Sequence, residues 1–424
     1  MSELNCKKPE LLAPAGNLEK LRYAIAYGAD AVYLAGEAYG LRAKAGNFTE
    51  EEMIEGLAFV HDHGKKAYVT LNIFAHNEDF FGLEDYVKKL ASLNVDGVIV
   101  ADPGILQVVK EAAPELKVSL STQANNTNYQ SAKFWHRQGV SRIVLARELS
   151  LEEIGQIRAN TDPSLELETF VHGAMCMSYS GRCLLSNYMA SRDANRGDCA
   201  QPCRWNYTLM EEKRPGEHFP IEEDERGTYI FNSKDLCLIH RIPELLRAGV
   251  DSFKIEGRMK SLFYVSTVTN VYRQAIDAFC KDPQGYQVDP IWIEELQKIS
   301  HRGYTEGFAF EKPDSNAHHY DTSTYIRNYD FVGSVLGYDE KKKEALVEVR
   351  NKIVLGDVLE WMSPGSPTKT LTVEYIEDEE GNRLENAPHP KQHIRIPMEG
   401  TPTKWDILRK DNQNVYSPTV DDKL

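Results

Sequence analysis

The chain has 424 residues, 42% apolar and 27% charged, with a formal net charge of −15. That balance belongs to a folded globular protein rather than a disordered one, and the excess acid argues against nonspecific polyanion binding while leaving room for a local basic surface at one RNA site. No stretch approaches about 18 uninterrupted apolar residues and no apolar run follows the first charges, so no membrane span or secretory leader is expected, and the location expected is cytoplasmic.

Glu10 to Gly16 reads as a short buried strand ending in a Pro/Gly loop, and Asn17 to Gly28 as a helix with an Asn cap and a glycine stop. The same alternation recurs. Strands are predicted at Ala29–Ala35, Lys66–Asn72, Val95–Val100, Leu116–Ser121, Val140–Ala146, Leu165–Val171 and Val250–Glu256. Helices fall between them, the one from Thr49 to His63 opening on a capping box with Glu52. Eight strand signals with crossover helices predict an α/β fold, a (β/α)8 TIM-like barrel that leaves no free edge. A doubly wound open sheet remains the alternative.

Strand seven is followed by an insertion, 172–249, far longer than an ordinary βα connection. After a long helix from Ser261 to Phe279 the pattern changes to half-buried alternation at Asp330–Tyr338, Ala345–Arg350 and Leu371–Ile376, which predicts a small all-β domain at 329–413 behind a barrel domain at 8–328.

Five of the seven cysteines lie in the insertion: Cys176, Cys183, Cys199, Cys203 and Cys237. In a reducing compartment such a group reads as soft ligands or redox chemistry rather than disulfides. The spacing matches neither the paired CxxC of a zinc ribbon nor a ferredoxin run. Nearby Arg182, Arg192, Arg196 and Arg204 favour a thiolate cluster, whose core is net negative, over zinc, which stays open. In a barrel, substrates meet residues at the C-terminal strand ends. Here these are expected to include Asn72, His76, Asp102, Gln123, Arg147, Glu168, His172, Glu256 and Arg258.

Several segments resemble the bacterial U32 "peptidase", or collagenase-like, family. They are Glu10–Gly16, Gly28–Tyr33, Glu168–Ser186, Asn195–Arg204, Ser233–Cys237, Lys254–Arg258 and Arg302–Phe308. Within it, Asn72–Asn77 and the two-domain length are most similar to the branch that hydroxylates tRNA. The resemblance implies formation of 5-hydroxyuridine at wobble position 34, dependence on prephenate, and a 4Fe-4S cluster held by Cys176, Cys183, Cys199 and Cys237, with Cys203 the alternative ligand. It also implies the tRNA anticodon region as partner, with iron-sulfur delivery or electron-donor proteins as further partners. On that reading Glu256, His172 and Glu168 are the catalytic candidates. Arg42, Arg147 and Arg258, with Asn72, His76 and Gln123, would bind substrate, the arginines gripping carboxylates or phosphates.

The family name poses a rival, proteolysis. Cys176 with His172 is the only local thiol–imidazole pair, no third group orients it, and the chain has no HExxH. A second rival is a zinc-holding RNA or protein scaffold. In the β domain, Tyr338 and Trp361 are read as base-stacking or core residues, and Lys341–Glu344 as a solvated turn.

Overall fold

The computed structural model describes residues 7–37, 39, 47–176, 183–192, 199–204, 208–209, 219–220, 232–310, 318–319 and 325–412. Seven parallel strands, β1 (Glu10–Pro14), β2 (Ala31–Leu34), β3 (Lys66–Leu71), β4 (Gly97–Val100), β5 (Val118–Leu120), β6 (Arg142–Val144) and β7 (Glu166–Ala174), pair in sequence order. Between β7 and the eighth barrel strand lies a short strand, β8 (Asp235–Cys237). The barrel closes on β9 (Ser252–Ile255), which pairs with β1 through Glu10↔Ser252 and with β7 through Ser252↔Glu168. The fold is therefore a closed (β/α)8 barrel, not an open sheet.

The helices begin where capping chemistry places them. Asn17 accepts from the Lys20 amide ahead of α1 (Leu18–Ala26), and Thr49 with Glu52 forms the reciprocal box at α2 (Glu50–Asp62). α3 (Leu83–Ser92), α4 (Pro103–Ala112), α5 (Tyr129–Arg137) and α6 (Leu151–Ala159) follow, the last capped by Ser150 and Glu153. Inside the insertion lies α7 (Leu185–Ala190), and α8 (Ile242–Arg247) is the crossover into β9. A long helix, α9 (Leu262–Lys281), is buried along most of its length, and α10 (Pro290–Lys298) follows.

Strand seven runs further than its apolar run implied. It continues to Ala174, and β8 pairs with this extension in antiparallel register, Asp235↔Ala174 through Cys237↔His172. β10 (Tyr304–Thr305) adds alongside β8 in parallel. The insertion thus departs from and returns to the same corner of the barrel.

The C-terminal sheet has eight strands, β11 (Tyr329–Asp339), β12 (Glu344–Val349), β13 (Val358–Met362), β14 (Lys369–Thr372), β15 (Ile376–Glu377), β16 (Arg383–Leu384), β17 (His393–Pro397) and β18 (Ile407–Asp411). Their order is β14-β13-β18-β11-β12-β17-β15-β16, and each pairing is antiparallel. The run expected as one strand at Leu371–Ile376 is split, because Val373 bonds instead across the turn to Gly356 and Asp357. This sheet docks on α1, α9 and α10. Tyr27 donates its hydroxyl to the carbonyls of Met362 and Trp405 (3.0 and 2.9 Å), and fully buried Arg409 bonds Glu295 and Glu360 (2.6 and 2.7 Å).

Candidate active site

The strands aim alternate residues into the barrel. At its floor, buried Arg142 donates to Glu10 (2.6 Å), Glu166 (2.8 Å) and Glu168 (3.0 Å), while Lys254 and Ser252 donate to Glu168 at 2.8 and 3.0 Å. The Lys254 ammonium also lies over the Tyr33 ring at 4.6 Å. Burial alone would raise the Glu10 carboxyl, but Arg142 and Lys66 outweigh it and hold it below the ordinary range. For Lys254, burial wins over Glu168 and lowers the ammonium. Glu168, expected at the C-terminal mouth, instead sits in this lower layer, level with the first residue of β9, because β7 enters the barrel two residues before it.

The mouth is polar but less completely paired. Asn72, just past β3, donates to Gln123 Oε1 at 2.8 Å, and Ser121 Oγ donates to the same oxygen at 3.0 Å. The buried Asn72 Oδ1 has no hydrogen-bond partner among the described residues. A buried carbonyl left so costs about 1–3 kcal/mol, which a bound ligand or water would offset. Arg258, 7% exposed, donates to Thr70 Oγ1 at 3.1 Å. Its carbonyl presses so closely on the β1 loop that a Cβ at Gly16 would stand 2.1 Å from it. Arg147 donates to the Ala174 carbonyl and stacks its guanidinium 4.1 Å above the Phe170 ring, and its buried Nε has no partner among the described residues. Glu256 is half-buried at the end of β9, and its carbonyl accepts from the Tyr264 hydroxyl.

Two mouth candidates have structural occupations. Asp102 caps α4 through the Gly104 and Ile105 amides (2.7 and 3.1 Å). His76 is exposed at the head of the turn Asn77–Phe80, where its own amide donates to Asp79. Arg42 lies outside the described residues. Thr70, Ser121, Arg142 and Lys254 were not singled out from sequence, although their inward parity in short strands was a signal that could have found them.

His172 and Cys237 face each other across β7 and β8, outside the barrel and against α9. The His172 ring is 1% exposed and packs among Tyr264, Tyr272 and Tyr304 with centroids 5.9, 5.6 and 5.3 Å away. Burial lowers its pKa to about 3, so the imidazole is neutral, and neither nitrogen is hydrogen-bonded among the described residues. No Cys–His catalytic pair therefore forms around His172. Burial pushes the Cys237 thiol up to about 11, its sulfur 3.9 Å from the Tyr272 hydroxyl.

Cys176 and Cys199 are exposed, Cys183 and Cys203 half-buried, and all five clustered thiols are free of disulfides. Cys199 Sγ accepts the Gln201 amide at 3.3 Å. Among the described residues no three His, Cys, Asp or Glu side chains converge as a metal site, and the connecting segments 177–182 and 193–198 lie outside them. The donor chemistry nonetheless suits a thiophilic centre. A thiolate at Cys237 needs a nearby cation to offset its desolvation, and a metal supplies one.

These features define a (β/α)8 barrel protein with its candidate site at the C-terminal mouth, a thiol-bearing strap on strand seven and a docked antiparallel β domain. The family follows from sequence comparison. Residues 16–319 match peptidase family U32, residues 327–409 match the family U32 C-terminal domain, and the chain belongs to this family. Among its relatives, tRNA hydroxylation protein P1 of Bacillus subtilis is 46% identical, covering 95% of both chains. The tRNA hydroxylation protein P of Escherichia coli is 39% identical over 92% of this chain and 94% of its own. The 23S rRNA 5-hydroxycytidine C2501 synthase of Escherichia coli is 37% identical over 70% of this chain and 45% of its own. No helix among the described residues is long and apolar enough to cross a membrane.

Proposed function

We propose that this chain hydroxylates tRNA, forming 5-hydroxyuridine at wobble position 34 in a prephenate-dependent reaction that uses a 4Fe-4S cluster. The observation that carries the reading is the similarity to tRNA hydroxylation protein P1 across 95% of both chains, barrel and β domain together. Replacing C5–H by C5–OH is a two-electron oxidation that no side chain here can supply alone. A cluster held by Cys176, Cys183, Cys199 and Cys237, with Cys203 as alternative, supplies electron transfer when bound.

The chain's own groups bind and orient. Asn72 presents a carbonyl with no partner among the described residues beside the Gln123 amide, a match for the N3–H and carbonyl edge of uracil. Arg258 and Arg147 flank the same mouth and suit the two carboxylates of prephenate. Glu256, half-buried at the rim, is assigned the C5 proton. His172 and Glu168, enclosed by tyrosines and by the floor network, hold the site's shape.

The test has two readouts. Protein purified without air is expected to be brown with about four irons per chain, and to restore 5-hydroxyuridine in the tRNA of a strain lacking its own enzyme only when prephenate is made. A colourless protein carrying one zinc, or unchanged nucleosides, would overturn the proposal.

A further inference from the structure

A cleft of about 670 Å³ separates the barrel mouth from the C-terminal sheet, walled by the start of α1, the loop into α9, the connector 325–331 and Arg350 of the β domain. It shares Asn17, Lys20 and Met259 with a smaller cavity of about 140 Å³ at the mouth, whose wall includes Arg258. Four cations line the cleft, Lys20, Lys260, Arg327 and Arg350, beside the carboxylates of Glu19 and Asp330. The first three make no ion pair or hydrogen bond through their charged groups among the described residues. The Lys260 ammonium lies over two rings, Tyr325 at 4.4 Å and Tyr264 at 5.1 Å. Burial lowers the Lys20 ammonium, against the weaker opposing pull of Glu19.

In a chain of net charge −15, carboxylates outnumber cations, so three unpaired cations in one groove are not a by-product of composition. The fourth cation of the wall, Arg350, shows the contrast, because Glu19 and Glu348 neutralise it. The N-termini of α1 and α9, capped by Asn17 and Ser261, also open on the cleft and add to its positive field. Tyr325 and Phe331 also line the cleft, with Lys260 and Arg302 over the Tyr325 ring at 4.4 and 5.1 Å and Phe331 stacked on Phe263 at 6.2 Å. A positively charged groove is how the backbone of single-stranded nucleic acid is tracked.

Resting on the function proposed above, we propose that this interdomain cleft is the docking groove for the single-stranded RNA flanking the target base, with Lys20, Lys260 and Arg327 on successive phosphates. The base then turns into the barrel mouth through the wall the two cavities share. The β domain is in this way one bank of the substrate channel, not a separate binding module.

The experiment measures anticodon stem-loop RNA binding to the full-length, anaerobically purified protein by fluorescence anisotropy across a salt series. Lys20→Ala, Lys260→Ala and Arg327→Ala combined are expected to weaken binding roughly tenfold or more and to flatten the log K against log salt slope by about 2, near 0.7 per lost contact on single strands. Lys341→Ala with Lys342→Ala, in the exposed turn after β11, should change neither. Triple-variant binding within about twofold of wild type, or wild-type protein that does not bind this RNA, overturns the cleft. Nucleoside analysis separates the two proposals. Wild-type protein that restores 5-hydroxyuridine beside a triple variant that binds and restores equally well sinks the groove alone, whereas wild-type protein that binds RNA through these cations but restores none sinks the function alone.

Discussion

The barrel floor and the interdomain cleft both gather charge, but they handle it differently. At the floor Arg142, Glu10, Glu168 and Lys254 satisfy one another at 2.6–3.0 Å. In the cleft Lys20, Lys260 and Arg327 make no ion pair among the described residues, although Glu19 and Asp330 share the lining. Paired charges in a core hold a geometry, while unpaired charges at a groove wait for a ligand, so the state of pairing, not the presence of charge, separates scaffold from binding surface. If that distinction is sound, deleting a floor charge costs stability and deleting a cleft charge costs binding.

The largest effect is expected from Arg142→Met. It strips two buried carboxylates of their shared cation, although Lys254 still faces Glu168 and Lys66 still reaches Glu10. A loss of about 3 kcal/mol in urea unfolding is the expected result. A loss below about 0.5 kcal/mol would mean the floor network is no more structural than a surface pair.

Next comes Gly16→Ala, at the junction of the two regions. The added methyl would meet the Arg258 carbonyl at 2.1 Å, so the loop carrying Arg258 must shift. Overpacking of this kind costs about 1–3 kcal/mol. The sharper readout is hydroxylation: activity should fall much further than the melting temperature does. Equal, modest losses in both would show that the position of Arg258 at the mouth is unimportant.

The floor and the cleft also differ in how legible they were. The βα alternation and the capping boxes at Thr49 and Ser150 are local signals, and the barrel follows from them. Depth is not local. Glu168 was expected among the C-terminal strand ends, and only the register with Ser252 shows it at the floor rather than the mouth. The extension of β7 to Ala174 and the three-residue β8 exist because they pair with each other, and neither has an apolar run of its own. Lys20, Lys260 and Arg327 come from three distant parts of the chain, so no window of sequence holds the cleft. α10 was missed despite a readable start, Asp289 capping ahead of Pro290.

Acid should loosen the domain junction that forms the cleft's frame. Burial would raise the Glu295 and Glu360 carboxyls, but Arg409 and Lys298 outweigh it and hold both below the ordinary value of 4.5. With folded values depressed, their contribution is full above about pH 4.5 and is lost as pH falls through the folded values. The apolar contacts of Trp405 and Phe331 against the barrel persist, so the expected outcome is partial: below pH 4 the β domain melts earlier and Trp405 fluorescence shifts first. Arg409→Gln should blunt this pH dependence, and an unchanged profile in that variant would remove the ion pairs from the account.

The smallest expected stability effect is Lys20→Met, and its smallness is informative. Lys20 is half-buried, its ammonium is desolvated, and the pull of Glu19 offsets only part of that cost. Methionine keeps the stem's contacts and removes the unpaired charge, so the melting temperature should stay level or rise, with unfolding free energy within about 0.5 kcal/mol of wild type. RNA binding should weaken in the same variant. Stability held while affinity falls is the signature of a residue kept for its ligand, the opposite of Arg142. A destabilisation comparable to Arg142→Met would place Lys20 with the scaffold and erase the difference between the two regions.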